Sequence, residues 1–169
     1  MATTFNIRSF LKTESKNLVE DMKTEIPAVE GFFTIEEEPH LIGGRFKKSG
    51  SYCFPKDLGG SDPNFPEDEV EEVLLSRFGK IWSYTNSAYP PPPPFIAAEP
   101  YEPIVIAAVE LVEEKMVLLG QVANGYAVED LSVGMTVELM VGTLYEDSES
   151  RYLTWMWKPL FEGQKQDKN

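Results

Sequence analysis

The sequence predicts a mainly β protein, in which a small closed barrel follows a short helical segment and a hairpin. Two observations predict this fold class. Short apolar stretches recur from residue 70 to residue 158, and charged or glycine-containing turns separate them. Within one of these stretches, Val137, Leu139 and Val141 alternate with the residues between them, which is the two-residue period of a half-buried strand.

The first 30 residues form the predicted helical segment. Four apolar residues fall near helical spacing there, with lysines and glutamates between them: Leu11, Leu18, Val19 and Met22. Pro27 is expected to end the helix, because proline cannot donate the next backbone hydrogen bond. A helix this short is marginal alone. It must pack either on its own barrel or on a partner chain, and the sequence leaves both open.

Residues 31–69 form the second predicted region, a set of short strands and glycine turns. Residues 41–47 and 52–54 predict a small hairpin, because a Ser-Gly-Ser turn lies between them. The acidic run over residues 67–72 is interpreted as a solvated surface rather than a metal site.

Residues 70–159 form the predicted barrel, and residues 160–169 are expected to be a flexible tail. Strands are expected over residues 70–75, 80–85, 104–112, 116–122, 135–145 and 152–157. Residues 128–134 fit one helical turn that ends at Gly134. About five strands, with such a turn after the third, correspond to a closed barrel of the OB type.

The loop over residues 89–103 differs from the rest of the chain because it contains five consecutive prolines, at positions 90–94. A proline run prefers the extended polyproline II helix, which is ordered before any contact forms. Two interpretations remain open for this loop. It is either a rigid cover over one mouth of the barrel, or a docking strip that forms one wall of a ligand channel.

The composition excludes several classes of protein. The chain has 169 residues, with 28 acidic against 15 basic residues and a formal net charge of −13. This excess of acid argues against nucleic-acid phosphates as the main partner. No apolar run approaches the ~18–20 residues that a membrane helix needs, and no secretory signal is visible. A cytoplasmic protein is the simplest interpretation.

Residues suited to catalysis are scarce, and no catalytic residue is predicted. His40 is the only histidine and is interpreted as a surface or hydrogen-bonded side chain. Cys53 is the only cysteine, so it cannot form an intramolecular disulfide or a four-cysteine metal site. Its position between Tyr52 and Phe54 favours a small buried side chain over an activated thiolate.

Arg45, Lys47 and Lys48 form the densest basic cluster in this acidic chain. Strand alternation places Arg45 and Lys47 on one face. The cluster is interpreted either as a contact for an anionic ligand, such as the phosphates of a coenzyme, or as a solvated strand edge.

Several segments, in a fixed order, resemble a known family. They are GKIWSYT at 79–85, the proline-rich loop, IAAVEL at 106–111, LGQV at 119–122, DLSVGM at 130–135 and TWMWKP at 154–159. Together they resemble the acyl-CoA-associated OB-fold proteins, which carry a rubredoxin-like zinc ribbon ahead of the barrel. The resemblance spans residues 41–159.

The sequence departs from this family in the ribbon. Phe46 and Ser49 stand where the family usually has its first cysteine pair, and residues 59–65 contain no cysteine for the second pair. Cys53 is out of register with either pair. A structural zinc site needs about four nitrogen or sulfur ligands. The resemblance therefore implies a degenerate, metal-free ribbon over residues 31–69, in which Phe46 and Phe65 would replace the metal by apolar contact.

The resemblance implies an accessory role, because such proteins bind thiolases, ketoacyl-CoA synthases, acyltransferases and steroid side-chain aldolases. We therefore expect a non-catalytic small subunit of a heteromeric thiolase-type enzyme acting on acyl-CoA. It would stabilise its partner and help to shape the acyl-CoA channel. The chain is expected to hold no cofactor of its own, since the coenzyme A thioester is the substrate of the complex. The residues expected to contact the partner are Leu11, Leu18, Val19, Met22, Pro92 and Phe95.

Two other functions were weighed. An OB module that binds single-stranded nucleic acid would use aromatic stacking platforms, and four candidates are Trp82, Tyr84, Trp155 and Trp157. The net charge and the lack of a basic groove weigh against it. A hydrolase or acyltransferase that acts alone is disfavoured because the chain has one histidine.

Overall fold

The computed structural model describes residues 23–58, 63–90, 92 and 99–161. Nine strands lie within these ranges: β1 (Thr24–Pro27), β2 (Ile42–Phe46), β3 (Tyr52–Cys53), β4 (Val70–Leu74), β5 (Phe78–Ser87), β6 (Ile104–Leu111), β7 (Met116–Val122), β8 (Thr136–Glu146) and β9 (Ser150–Pro159). One short 3₁₀ helix, Val128–Asp130, lies between β7 and β8.

Five strands close into a barrel. The sheet runs in the order β9-β7-β6-β5-β8, and β8 pairs back with β9. The β8–β9 ladder runs from Val137 opposite Pro159 to Glu146 opposite Arg151. The 3₁₀ helix follows the third barrel strand, and Gly134 ends that connection at a positive φ of 86°. This connectivity confirms the predicted closed barrel of the OB type.

The N-terminal helix is not supported where the structure describes that segment. Residues 24–27 form β1, which lies parallel to β9 with Thr24 opposite Ser150 and Pro27 opposite Leu153. Pairing with a strand more than a hundred residues away decides this conformation. The local sequence pattern carries no information about that distant partner strand. The rest of the predicted helix, with Leu11, Leu18, Val19 and Met22, lies outside the described residues.

The hairpin predicted over residues 41–54 is confirmed as part of a small sheet. β2 pairs antiparallel with β3, where Gly44 lies opposite Cys53. The other neighbour of β2 is β4. The structure therefore places residues 70–74 in the small sheet, although the sequence pattern assigned them to the barrel. The chain crosses from the small sheet to the barrel over residues 75–77.

The start of the predicted flexible tail is attached to the barrel. The backbone N–H of Leu160 donates to the carbonyl oxygen of Thr136 over 2.9 Å. The ring of Phe161 lies 6.0 Å from the ring of Tyr126, measured between centroids. Residues 162–169 lie outside the described residues.

The core lies inside the barrel and continues beneath the small sheet. Its buried residues from the barrel strands are Ile81, Val105, Ala107, Val109, Leu111, Val122, Val137, Leu139, Leu153 and Trp157. Trp157 has no exposed surface. Leu41 and Leu75, which flank the small sheet, belong to the same cluster and are also fully buried. One continuous core therefore joins the two sheets.

An aromatic junction of Phe32, Phe33, Phe54 and Trp155 holds the small sheet against β9. The ring centroids of Phe32 and Phe54 are 5.5 Å apart, and those of Phe54 and Trp155 are 5.8 Å apart. Phe33 meets Trp155 at 6.0 Å. Edge-to-face pairs of this kind stabilise beyond the area that they bury, by about 0.5–1.5 kcal/mol each.

Polar contacts fix the crossing between the two sheets. The backbone N–H of Ser76 donates to Oε1 of Glu114 over 2.6 Å, and this carboxylate is only 7% exposed. Next along the chain, the Arg77 guanidinium pairs with Glu138 at 2.8 Å and with Glu38 at 3.1 Å. The crossing is therefore anchored on both sides.

Gly79→Ala is expected to destabilise the protein by about 1–3 kcal/mol. A Cβ there would lie 2.4 Å from Cγ1 of Val109 and 2.8 Å from the carbonyl oxygen of Glu110, inside the packed barrel. Gly142→Ala is the matched control, because its Cβ would meet the flexible side chain of Met156, with the sulfur 2.7 Å away. Chemical denaturation of both variants measures the difference. Equal free energies of unfolding would contradict the close approach of β6 to β5.

Candidate functional site

The outer surface of β5, β6 and β7 is built from residues that lie opposite one another across the ladders. Ala108 on β6 lies opposite Ser83 on β5 and Leu119 on β7. One step along this surface, Glu110 lies opposite Val117. The alternate residues of β6 point the other way and are buried in the barrel. This row of residues therefore faces outward.

Trp82 reaches the same outer surface through an irregularity in β5. The register between β5 and β6 shifts between Ile81 and Ser83, so Trp82 is an extra residue, as at a β-bulge. Ile81 is buried in the core, whereas Trp82 is 63% exposed. The shift places Trp82 beside Ser83, next to the row described above.

We call the apolar residues of this surface the outer apolar face: Trp82, Ile106, Ala108, Val117 and Leu119. Polar residues lie among them, because Ser83 lies opposite Ala108, and Thr85 and Gln121 lie opposite Ile106. Leu119 is 67% exposed and Val117 is 45% exposed. At one end of the face, Lys80 lies opposite Glu110. Three large apolar side chains exposed on neighbouring strands, here Trp82, Val117 and Leu119, suit a protein–protein contact. The outer apolar face is therefore the candidate functional site.

The outer apolar face is not among the sites predicted from the sequence, although one signal points to it. Residues 117–119 read Val-Leu-Leu, so apolar side chains occupy both faces of β7 there. A strand that meets water on one face shows clean alternation instead. An apolar run in a barrel strand thus indicates that its outer face is apolar as well.

Two loops at the barrel ends are tied by hydrogen bonds. The hydroxyl of Tyr101 donates to the carbonyl oxygen of Ser87 over 2.8 Å, which attaches the proline-containing loop to the end of β5. In the β8–β9 loop, the Asp147 carboxylate accepts the backbone N–H groups of Glu149 and Ser150 over 2.9 and 2.7 Å. These bonds hold the pKa of Asp147 below its ordinary value.

The predicted basic cluster lies among carboxylates. Nζ of Lys47 lies 2.8 Å from Oε2 of Glu69, and this hydrogen bond raises the pKa of Lys47 and lowers that of Glu69. Arg45 lies opposite Glu71 on β4, and its guanidinium lies 5.8 Å from the centroid of the Tyr52 ring.

The third residue of the cluster, Lys48, donates its backbone N–H to the carboxylate of Asp68 over 2.8 Å. This neighbourhood is acidic, and it offers phosphate groups little net attraction. The acidic run is exposed for the most part, as predicted.

His40 and Cys53 serve the structure, and each lies as the sequence predicted. Nδ1 of His40 lies 2.9 Å from the carbonyl oxygen of Leu75. Cys53 is 8% exposed, and its Sγ donates to the carbonyl oxygen of Lys56 over 3.6 Å. Burial raises the pKa of the Cys53 thiol. The raised pKa of the Cys53 thiol disfavours the thiolate that a nucleophile needs.

No candidate metal site lies within the residues that the structure describes. Among them, no group of three or more His, Cys, Asp or Glu side chains is placed to hold a metal ion. Of the two residues expected to replace zinc by apolar contact, Phe46 is buried, at 5% exposed, but Phe65 is 39% exposed. Phe46 therefore fits that role, and Phe65 does not.

The predicted partner-binding residues lie mostly outside the described part of the chain. This applies to Phe95, as it does to the four apolar residues of the N-terminal segment. Pro92 is described and is exposed. Their role in binding a partner stays a prediction.

The structure changes the interpretation of the four aromatic residues proposed as stacking platforms. Trp157 is fully buried, and the hydroxyl of Tyr84 donates to the carbonyl oxygen of Leu131 over 2.9 Å. Trp155 packs in the aromatic junction, where its Nε1 donates to the carbonyl oxygen of Leu119 over 3.3 Å. Of these four residues, Trp82 is exposed on the outer surface.

Comparison with known families identifies the barrel. Residues 72–142 match the family model described as "ChsH2, C-terminal OB-fold domain". The match contains β5, β6 and β7, and so it contains the whole outer apolar face. The barrel is an OB fold. A comparison with curated proteins finds no match.

A solved structure described as "Ltp2-ChsH2(DUF35) aldolase" contains a chain with a similar fold. The two chains superpose with a TM-score of 0.54 at 23% sequence identity. The alignment covers 71% of this chain and 84% of that chain. At this identity the likeness shows the fold, and it extends beyond the residues that the family model matches.

The rate of Cys53 alkylation is expected to reach half its maximum at a higher pH in the folded protein than in the unfolded chain. Only the thiolate reacts, and burial raises the pKa of this thiol, so the folded protein holds less thiolate at each pH. Iodoacetamide labelling followed by mass spectrometry from pH 6 to pH 10 measures both profiles. A midpoint below that of the unfolded chain would mark an activated cysteine and contradict the structural role.

Proposed function

We propose that this protein is the non-catalytic small subunit of a heteromeric thiolase-type enzyme that acts on acyl-CoA. The observation that carries the proposal is the outer apolar face on an OB barrel that matches the ChsH2 OB-fold domain. A chain of similar fold is present in a solved structure described as "Ltp2-ChsH2(DUF35) aldolase". An apolar surface of this kind is suited to packing against a second subunit.

The division of labour follows from the chemistry of the described residues. His40 bonds to the backbone and Cys53 is buried with a raised pKa, so neither supplies a nucleophile or a base. In the proposed complex, the thiolase-like partner supplies these groups. This chain stabilises the partner and helps to shape the acyl-CoA channel, and coenzyme A thioester is the substrate of the complex rather than a cofactor of this chain.

Further contacts belong to the same proposal. The N-terminal residues Leu11, Leu18, Val19 and Met22, with Pro92 and Phe95 of the proline loop, would add to the partner interface. Arg45, Lys47 and Lys48 would meet phosphate only if the partner offset the surrounding carboxylates.

We propose a cytoplasmic location. Within the described residues, the structure contains no helix of the length and apolarity needed to cross a bilayer.

Binding of single-stranded nucleic acid is the second candidate. One observation favours it, since Trp82 lies exposed on an OB barrel and could stack on a base. The net charge of −13 opposes it, and Lys80, the cation at one end of the face, lies opposite Glu110. Quenching of tryptophan fluorescence by an oligonucleotide at physiological salt would favour this candidate over the subunit role.

Affinity purification of the tagged full chain is expected to recover a thiolase-like protein, identified by mass spectrometry. The reconstituted complex should turn over an acyl-CoA thioester, and the purified chain alone should not, because it lacks an activated nucleophile. Release of free coenzyme A from a panel of acyl-CoA thioesters measures this. Turnover by the chain alone that is lost in Cys53→Ala or His40→Ala would overturn the proposal.

Leu119→Asp is expected to weaken the complex about tenfold or more, because it places a charge at the centre of an apolar interface. Val133→Asp is the matched control, since Val133 is 70% exposed and lies outside the outer apolar face. Both variants should fold, because both side chains are largely exposed. Calorimetric titration with the purified partner gives the dissociation constants. Equal weakening by both variants, or by neither, would place the interface elsewhere.

A further inference from the structure

The small sheet ends on a strand edge that is open within the described residues. β4 pairs with β2 on one side, and no described strand pairs with its other side. Two hydrogen bonds show which residues of β4 bond to β2. The backbone N–H of Leu75 donates to the carbonyl oxygen of Leu41, and that of Lys47 donates to the carbonyl oxygen of Glu69, each over 2.9 Å. In β4, the odd-numbered residues therefore direct their backbone N–H and C=O groups toward β2.

The even-numbered residues of β4 direct their backbone groups outward, because hydrogen-bonding direction alternates along an antiparallel strand. These residues are Val70, Glu72 and Leu74. The next groups in the same row are satisfied within the chain. At one end the N–H of Asp68 donates to the oxygen of Phe65 over 3.2 Å, and at the other end the N–H of Ser76 donates to Glu114. The open edge is thus three residues long and is capped at both ends.

The edge of β4 is protected only in part, by its short length and by the charges of Glu71 and Glu72. Natural proteins usually blunt an open edge with lysine, proline or a bulge, and residues 70–74 contain no lysine or proline. Leu74 is 57% exposed and Val70 is 39% exposed. Between them lie Glu71 and Glu72, both exposed. Glu72 pairs with Lys56, and Arg45 lies opposite Glu71, so each carboxylate already has a cation of this chain beside it. An added strand would meet apolar groups at the two ends and carboxylates in the middle.

The charges favour a basic segment over a second copy of this chain. Two copies of this chain could pair their β4 edges antiparallel about a two-fold axis, with their outward backbone groups bonded to each other. Glu72 of one copy would then lie opposite Glu72 of the other. Like charges directly opposite each other destabilise a ladder. Two chains of net charge −13 also repel each other. A strand with lysine or arginine opposite Glu71 and Glu72 meets neither penalty, although it would share Glu72 with Lys56. The five carboxylates of residues 67–72 outnumber the nearby cations Arg45, Lys47, Lys48 and Lys56, so the neighbourhood still favours a basic segment.

We propose that the open edge of β4 binds an extended, basic segment of the partner subunit as an added strand. Main-chain hydrogen bonds would give the affinity, and the alternating side chains would give the specificity. This inference rests on the proposed function for the identity of the partner, and it names a second contact that is separate from the outer apolar face.

The probe is a heptapeptide designed from this register, acetyl-TVTKKVT-amide. Its two lysines lie opposite Glu72 and Glu71, and its inner valines lie against Leu74 and Val70 in antiparallel pairing. One control peptide carries an N-methyl group on the backbone of the lysine opposite Glu72, and a second replaces both lysines with glutamate. Heteronuclear NMR titration of the full-length chain is expected to show binding of the probe at least about tenfold tighter than binding of either control. Equal binding of the N-methylated peptide would overturn strand addition.

Variants of the chain test the edge from the other side. Glu72→Pro removes one outward N–H and leaves the bonds to β2 intact, which is where an edge strand tolerates proline. Glu72→Thr is its control, since it removes the same charge and keeps the N–H. Glu72→Pro should weaken peptide binding about tenfold, and Glu72→Thr by about threefold or less. Equal effects of the two variants would overturn the proposal.

Other occupants of the edge give different outcomes, and each would overturn the proposal. If another segment of this chain covers the edge, the amides of Val70, Glu72 and Leu74 will already resist hydrogen exchange in the isolated protein. If a second copy covers it, sedimentation will show a dimer that Glu72→Pro dissociates.

Binding of the purified partner to the wild type and to Glu72→Pro distinguishes a failure of this proposal from a failure of the proposed function. If the partner binds the wild type and Glu72→Pro equally tightly, the contact at the β4 edge is disproved, and the subunit role is unaffected.

Discussion

The pairing of β9 with three other strands is the interaction on which this structure depends. Its later residues join β8 to β7 and so close the barrel, while its first residues carry β1 as an added parallel strand. The same strand supplies Trp157 to the barrel interior and Trp155 to the aromatic junction. Loss of β9 would therefore open the barrel, expose strand edges and release the small sheet in one step.

Closure of the barrel decides what kind of contact each surface can make. On the outer apolar face, the backbone groups of β5, β6 and β7 are already paired in ladders, so only side chains such as Trp82 and Leu119 are available. On the β4 edge the outward backbone groups have no partner strand in the described part of the chain, and the exposed side chains include Glu71 and Glu72. A partner at the β4 edge would be recognised by hydrogen bonds and charge, whereas a partner on the barrel would be recognised by apolar packing.

Much of the barrel could be predicted because its strands carry their own signals. Alternation through Val137 and Leu139 located β8 to within one residue at each end, and Gly134 marked the end of the preceding turn. The strand β4 could be predicted, but its place in the small sheet could not, and β1 falls in a segment that the sequence pattern predicts as helical. The place of both strands depends on which distant strand they pair with. The outer apolar face was harder to predict from the sequence than the strands. The bulge that exposes Trp82 leaves no mark in the sequence, and the apolar run at 117–119 was interpreted as a strand without regard to its outer face.

The anchored crossing over residues 75–77 has a consequence for how tightly a partner can be held. Leu75 is fully buried, Ser76 is bonded to Glu114, and Arg77 is bonded to carboxylates from two segments. The outer apolar face and the β4 edge thus keep a fixed spacing and orientation, and in the proposed complex they would act together as a bivalent ligand. Once one is bound, the other meets its target at a high effective concentration. Two contacts that are weak by themselves would then give one long-lived complex, an advantage that a flexible crossing would lose.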